Sequence, residues 1–187
     1  MAVATVETHR WTREEYERLA AKGFFPPGKR VELVEGVIYD MAPQNSPHAT
    51  ALHISQEALR TLFPPGSGYA VRSQSPLALN EGSEPEPDLA VVPGSFLDYR
   101  DHHPTMALLV LEIADSSLFH DRKRKIPLYA RCGIPESWLL NLVRGTLEVY
   151  RDPIGGAYQT WTVLQAGDGI APLSRPDRSI QVAELLP

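Results

Sequence analysis

The stretch Met106-Ala107-Leu108-Leu109-Val110-Leu111-Glu112-Ile113-Ala114 constrains the fold more than any other part of the chain. It is too short to span a membrane, and its near-continuous apolar run leaves no face for water. Such a run suits a central strand covered on both sides. A strand of this kind needs neighbours in a sheet and a layer on each face, so the chain must build a layered α/β or α+β domain around it. Within the run stands a single acid, Glu112.

The flanking segments supply those layers. Thr12 caps a helix that runs to about Lys22, with Glu15 completing a capping box and Trp11 meeting Tyr16 as a staple. Val31 to Met41 alternates around Glu35-Gly36 and predicts a hairpin. Ser46 caps a second helix with Pro47 in its first turn, and Ala51, Ile54, Ala58 and Leu62 form its apolar stripe up to Pro64-Pro65. Tyr69 to Leu79 reads as a strand, Asn80 to Glu86 as an acidic loop, and Pro87 to Val92 as a short strand. Asp121 to Cys132 reads as a helix closed by Gly133, with Pro127 expected to shorten or kink it. Three strands follow, Ser137–Leu142, Thr146–Arg151 and Tyr158–Leu164, the last two separated by the turn Asp152–Gly156. The expected architecture is a mixed β-sheet flanked by helices with additional C-terminal antiparallel strands, in one domain over residues 1–187.

Several classes are excluded by composition. A net charge of -5 is wrong for a generally basic nucleic-acid coat protein, though a local basic patch remains possible. Cys132 is the only cysteine, so neither a disulfide framework nor a thiolate metal site can form, and a reducing cytoplasm is the natural compartment. Residues Met1 to Glu7 have neither the positive head nor the apolar stretch of a secretion signal. No segment is expected to enter a membrane.

Two acids sit where acids are costly. Asp88 opens an otherwise apolar strand and Glu112 interrupts the central one. An unpaired carboxylate there costs several kcal/mol on the order-of-magnitude scale for buried ions, so a cation, a metal or exposure at the strand mouth must compensate it. Between Phe119 and Arg131 lie five basic residues and one acid. A helix following a strand folds back across its sheet, which can bring Lys125 over Glu112. Otherwise this run is a solvated basic face.

Asp88 after Pro87, Glu112 on a central strand and a nearby lysine resemble the PD-(D/E)xK nuclease pattern, except that Ala114 stands where the lysine usually lies. The wider chain is similar to the Uma-two family of endonuclease-like proteins, catalogued as a domain of unknown function. The likeness rests on Arg30-Val31-Glu32-Leu33-Val34-Glu35-Gly36, Ser46-Pro47-His48, Pro87-Asp88-Leu89-Ala90-Val91-Val92, Leu111-Glu112-Ile113, Asp121-Arg122-Lys123-Arg124-Lys125 and Leu128 to Trp138, in that order. It covers roughly residues 11 to 165.

The resemblance implies a restriction-endonuclease-like fold and a lysine moved onto the following helix, here Lys125. It also implies Mg²⁺ or Mn²⁺ held by Asp88 and Glu112, with hydrolysis of nucleic-acid phosphodiesters, DNA being the expected substrate. Glu32 is implied as an additional acid, with Glu35 shaping the hairpin turn. His48 is implied as a neutral imidazole for metal, water or phosphate, because a helix start disfavours its protonated form. Arg122, Lys123 and Arg124 are expected to contact the nucleic-acid backbone. His53, His102, His103 and His120 are expected at the surface, and Cys132 packed at a helix end. The aromatic late hairpin carrying Tyr150, Tyr158 and Trp161 points to a homodimer or higher homo-oligomer. Two other readings stay open: a non-catalytic binding or regulatory homo-oligomer on a nuclease scaffold, and a metallohydrolase of a small phosphoester.

Overall fold

In the computed structural model, residues 7–187 are described, so the reading of the first residues as no secretion signal lies outside the described residues. Helix α1 (Arg13–Ala21) starts at Thr12, whose hydroxyl and the Glu15 carboxylate form the reciprocal cap. Its Tyr16 donates to the Val31 carbonyl of the hairpin β1 (Val31–Val34) and β2 (Val37–Asp40). The turn places Glu35 at φ 51° and Gly36 at φ 74°; a Cβ on Gly36 would lie 2.7 Å from the Arg10 side chain, so only glycine fits there.

Six strands form the main sheet in the order β3-β4-β5-β6-β7-β8. They are β3 (Tyr69–Ser73), β4 (Leu89–Pro93), β5 (Leu109–Ala114), β6 (Glu136–Asn141), β7 (Thr146–Ile154) and β8 (Ala157–Gln165). All neighbours are antiparallel except β5 and β6, which run parallel. The parallel pair needs a crossover, and the segment between them provides it. As the apolar run requires, β5 is buried along its whole length.

Alternation along β4 and β5 sorts the two cores. Leu89, Val91, Leu109, Leu111 and Ile113 face α2 (Ser46–Leu62), whose Ala51, Leu52, Leu59 and Leu62 cover them. Ala90, Val92, Val110 and Ala114 face Ile126 and Tyr129 of the crossover. The C-terminal pieces β9 (Gly169–Ile170) and β10 (Ile180–Gln181) close the α2 side through Ile170, Ile180, Val182 and Leu185. Fully buried side chains such as Trp138, Leu59 and Leu111 each contribute about 1.5–3 kcal/mol. Among the described residues no helix is long and apolar enough to cross a membrane.

Local corrections have local causes. The second helix is capped by Asn45, not Ser46: the Asn45 side chain accepts from the His48 amide, and Ser46 is already helical. The strand expected to reach Leu79 stops at Ser73, because Gln74 adopts φ 44° and turns the chain away. On the neighbouring strand pairing begins at Leu89 rather than Pro87, which has no amide to donate. The crossover helix begins earlier than Asp121, as a short turn α3 (Leu118–His120), a π-helical turn (Asp121–Lys125) and α4 (Ile126–Arg131). There the Ile126 amide reaches back to the Asp121 carbonyl, and the wide turn directly precedes Pro127. Strand β7 extends to Ile154, moving its turn onto Gly155-Gly156.

Candidate active site

The register of the sheet creates the site. Leu89 pairs with Leu111, so one step further Asp88 and Glu112 stand side by side, on the face opposite the two leucines. Strand β4 has ended at that point, and the Asp88 carboxylate takes over the ladder position by accepting the Ile113 amide at 2.8 Å. Its other contacts are His48 Nε2 at 3.2 Å, from the first turn of α2, and Gln74 Nε2 at 3.2 Å, from the end of β3. Burial works against the charge of Asp88, but His48, Lys125 and the Ile113 amide outweigh it and hold its carboxyl below the usual range.

Lys125 ends the π-helical turn, and its side chain is 4% exposed. Its amine lies 2.9 Å from Glu112, 3.2 Å from Glu32 and 3.3 Å from the Glu86 carbonyl. Burial opposes its charge, yet Glu112, Glu32, Asp121 and Asp88 together keep it firmly protonated, well above the ordinary lysine value. Burial also pushes Glu112 well above the carboxylate range; Lys125 opposes this, while Asp121, Asp88 and Glu32 reinforce it. Tyr129, one turn beyond Lys125, donates its hydroxyl to the same Glu112 oxygen that Lys125 meets. Glu32 behaves differently: burial raises it, but Lys125, His120 and the Glu86 amide win and hold it at about 2.

Asp88, Glu112, Lys125, Glu32 and His48 therefore line one cleft of about 370 Å³. One expectation is corrected. His120 is no surface residue: it lines the cleft, 3.4 Å from Glu32 and edge-on to Tyr39, because the crossover begins at Leu118 instead of Asp121. His48 meets Asp88 from the helix start, and that hydrogen bond raises its pKa, against burial.

Glu35 stays outside the cleft, in its turn, paired with Arg131 at 2.6 Å. The basic triplet lies outside it too, with Arg122 joined to Glu148 on β7 while Lys123 and Arg124 are exposed. Sequence reasoning missed Gln74, Glu86, Asp115 and Asp121 as cleft residues. For Glu86 a signal existed, since Pro-Glu-Pro-Asp places it two residues before Asp88; for Gln74 there was none.

Seven carboxylates line the cleft, Glu32, Asp40, Glu86, Asp88, Glu112, Asp115 and Asp121, against the permanent cations Arg30 and Lys125. Such an excess calls for further positive charge, and the donors are hard oxygens, matched to Mg²⁺ or Mn²⁺. Among the described residues no three acids, histidines or cysteines are gathered as a ready cage. Magnesium does not require one, since it commonly keeps several waters and takes one or two carboxylates. The residues fit the ion.

A six-stranded mixed sheet flanked by helices, with small antiparallel pieces beside it, is a restriction-endonuclease-like architecture. The chain belongs to the Uma2 family, described as "Putative restriction endonuclease", whose family model matches residues 13–183. A solved structure described as a putative nuclease belonging to DUF820, from Anabaena variabilis ATCC 29413, shares the fold. Its TM-score is 0.74 at 15% identity, over 94% of this chain and 97% of that one. The comparison with curated proteins gives no match.

Proposed function

We propose that the chain is a metal-dependent endonuclease that hydrolyses nucleic-acid phosphodiester bonds, with DNA as the first substrate to test. The observation that carries this reading is the meeting of Asp88, Glu112 and Lys125 at one strand mouth, reached from two strands and a helix. Asp88 and Glu112 would hold Mg²⁺ or Mn²⁺. When bound, the ion would lower the pKa of a coordinated water and offset charge developing on phosphate oxygens.

The chain's own groups do the rest. His48 and Gln74 fix both oxygens of Asp88. Tyr129 and Lys125 both hold one oxygen of Glu112, so neither carboxylate must reorganise when substrate arrives. The ammonium of Lys125, held between Glu112 and Glu32, orients Glu112 and sets a buried positive charge beside the point where water and phosphate would meet. Glu32 keeps that ammonium in place, and His120 borders Glu32 on the solvent side of the cleft. Lys123 and Arg124 are free to meet the nucleic-acid backbone without reading sequence.

The test is cleavage of plasmid and single-stranded DNA and RNA in Mg²⁺, in Mn²⁺ and in EDTA. Metal-dependent nicking that disappears in Glu112→Gln and Lys125→Ala, with both variants folded, is the expected result. A folded protein that cuts neither polymer with either metal sinks the proposal. Hydrolysis of a small phosphodiester alone would favour the small-phosphoester reading.

A further inference from the structure

Nucleic acid brings its own negative charge into a cleft already rich in carboxylates, so some exposed cation must receive it. Of the two permanent cations lining the cleft, Lys125 is spent: its side chain is 4% exposed and its amine is divided among Glu112, Glu32 and the Glu86 carbonyl. The Arg30 side chain, just before β1, is 38% exposed. Its guanidinium is held from two sides, by Glu86 at 2.8 Å and by Gln74 Oε1 at 3.4 Å.

Gln74 makes this arrangement specific. Its side-chain amide spans Arg30 and Asp88, accepting from the first through Oε1 and donating to the second through Nε2 at 3.2 Å. It does so from a left-handed backbone, φ 44°, which disfavours a side chain of this kind and would suit glycine. A strained residue that persists with both ends of its amide engaged across a cleft is a motive for function.

We propose that Arg30 is the cleft's phosphate-receiving group, and that Gln74 is a positioning residue holding it in fixed relation to Asp88. Resting on the nuclease reading, the inference deepens it by naming the contact with substrate. The planar guanidinium presents several N–H donors in a fork that matches two oxygens of one phosphate. Glu86 and Gln74 occupy only part of the fork, and the guanidinium keeps further N–H donors in a side chain that lines the cleft. Gln74 fixes the distance between the phosphate so held and the carboxylate that would ligate the ion. The phosphodiester is therefore registered against the strand mouth by its backbone and not by its bases.

The experiment measures binding of a fluorescent DNA duplex by anisotropy, with Ca²⁺ replacing Mg²⁺ to suppress cleavage, and cleavage of the same duplex in Mg²⁺. Arg30→Ala should weaken binding roughly ten- to a hundredfold, the loss expected for one charge-assisted contact, and lower the salt slope by about one unit. Arg30→Lys should keep most of the slope, since the charge remains, but lose cleavage because the fork is gone. Gln74→Gly, which suits the backbone, should melt no lower than wild type and yet cleave more slowly. A merely structural Gln74 would leave cleavage unchanged in that variant.

Wild-type binding and cleavage unaltered in all three variants would overturn this inference and leave the nuclease reading standing. A full loss of binding in Lys123→Ala/Arg124→Ala, with Arg30→Ala unchanged, would do the same. A wild-type protein that neither binds nor cuts DNA or RNA would overturn both.

Discussion

The Glu32 carboxylate offers the sharpest test of how the buried charges hold one another. Its side chain is 5% exposed and its folded value is about 2, against the ordinary 4.5. A depressed acid contributes stability that is present above its unfolded value and lost as pH falls through its folded value. The difference is worth about 3 kcal/mol at pH 7, shrinks to about 1.4 kcal/mol at pH 3 and vanishes below about pH 2. Glu32→Gln keeps an acceptor for the Glu86 amide but removes the charge facing Lys125. Urea denaturation in EDTA, followed by the fluorescence of the tryptophans, of which Trp138 is fully buried, should show the variant less stable by that amount at pH 7. The gap should close progressively between pH 4.5 and pH 2. A deficit below about 1 kcal/mol at pH 7, or one equally large at pH 3, would refute the idea that the Lys125 ion pair outweighs desolvation at Glu32.

Other groups give independent expectations. Calorimetry should show Mg²⁺ or Mn²⁺ binding that both Asp88→Asn and Glu112→Gln weaken strongly; unchanged affinity in both would place any ion elsewhere. Glu84 is buried, with one carboxylate oxygen unbonded, and burial followed by Glu17 raises it to about 7, so the folded state costs stability as pH rises from 4.5 to 7. Glu84→Gln should therefore stabilise the chain at pH 8 and flatten its pH profile between 4.5 and 7, and an unchanged thermal midpoint would count against this. Glu136 is fully buried and accepts from Trp138, Arg151 and the Leu173 amide, so Glu136→Ala should cost about 3–5 kcal/mol in chemical denaturation and loosen the C-terminal segment. Strand β8 is an uncharged nine-residue edge with Trp161 60% exposed, and we propose that two copies pair along it as a homodimer. Light scattering should then give twice the chain mass, falling to the monomer in Thr162→Lys; a wild-type monomer at micromolar concentration would reject the dimer.

Hydrophobic patterning carried most of the architecture. The run ending in Ala114 was legible as a doubly covered strand because nine residues with one acid leave little else possible, and Thr12, Glu35-Gly36 and Gly133 marked element ends by local chemistry alone. What escaped was set by non-local contacts. Gln74 looks like an ordinary strand residue; only its bonds to Arg30 and Asp88, the former 44 positions away, account for the turn it makes. His120 could not be placed without knowing where the crossover helix begins, and the Asp88 partner of His48 lies 40 positions along the chain.

The crossover also explains why a lysine two residues after Glu112 is unnecessary. Ala114 lies on the same face of β5 as Glu112 and belongs to the core beneath the helix, a place where a lysine would meet apolar neighbours. The chain instead leaves the sheet at Asp115, turns through Ser116-Ser117 and returns across the same face. The π-helical turn inserts its extra residue just before Pro127, and Lys125 and Tyr129, four positions apart, both arrive at one oxygen of Glu112. Pro127 has no N–H to donate back to the carbonyl four residues earlier, so a wide turn just before it is compatible with the missing hydrogen bond. The sequence Lys-Ile-Pro-Leu-Tyr thus unites the break in helical regularity with the two side chains that hold the buried acid. Ammonium and phenol both come from the layer that seals the core, while Arg30 and Gln74 join the cleft lining from beside β1 and β3.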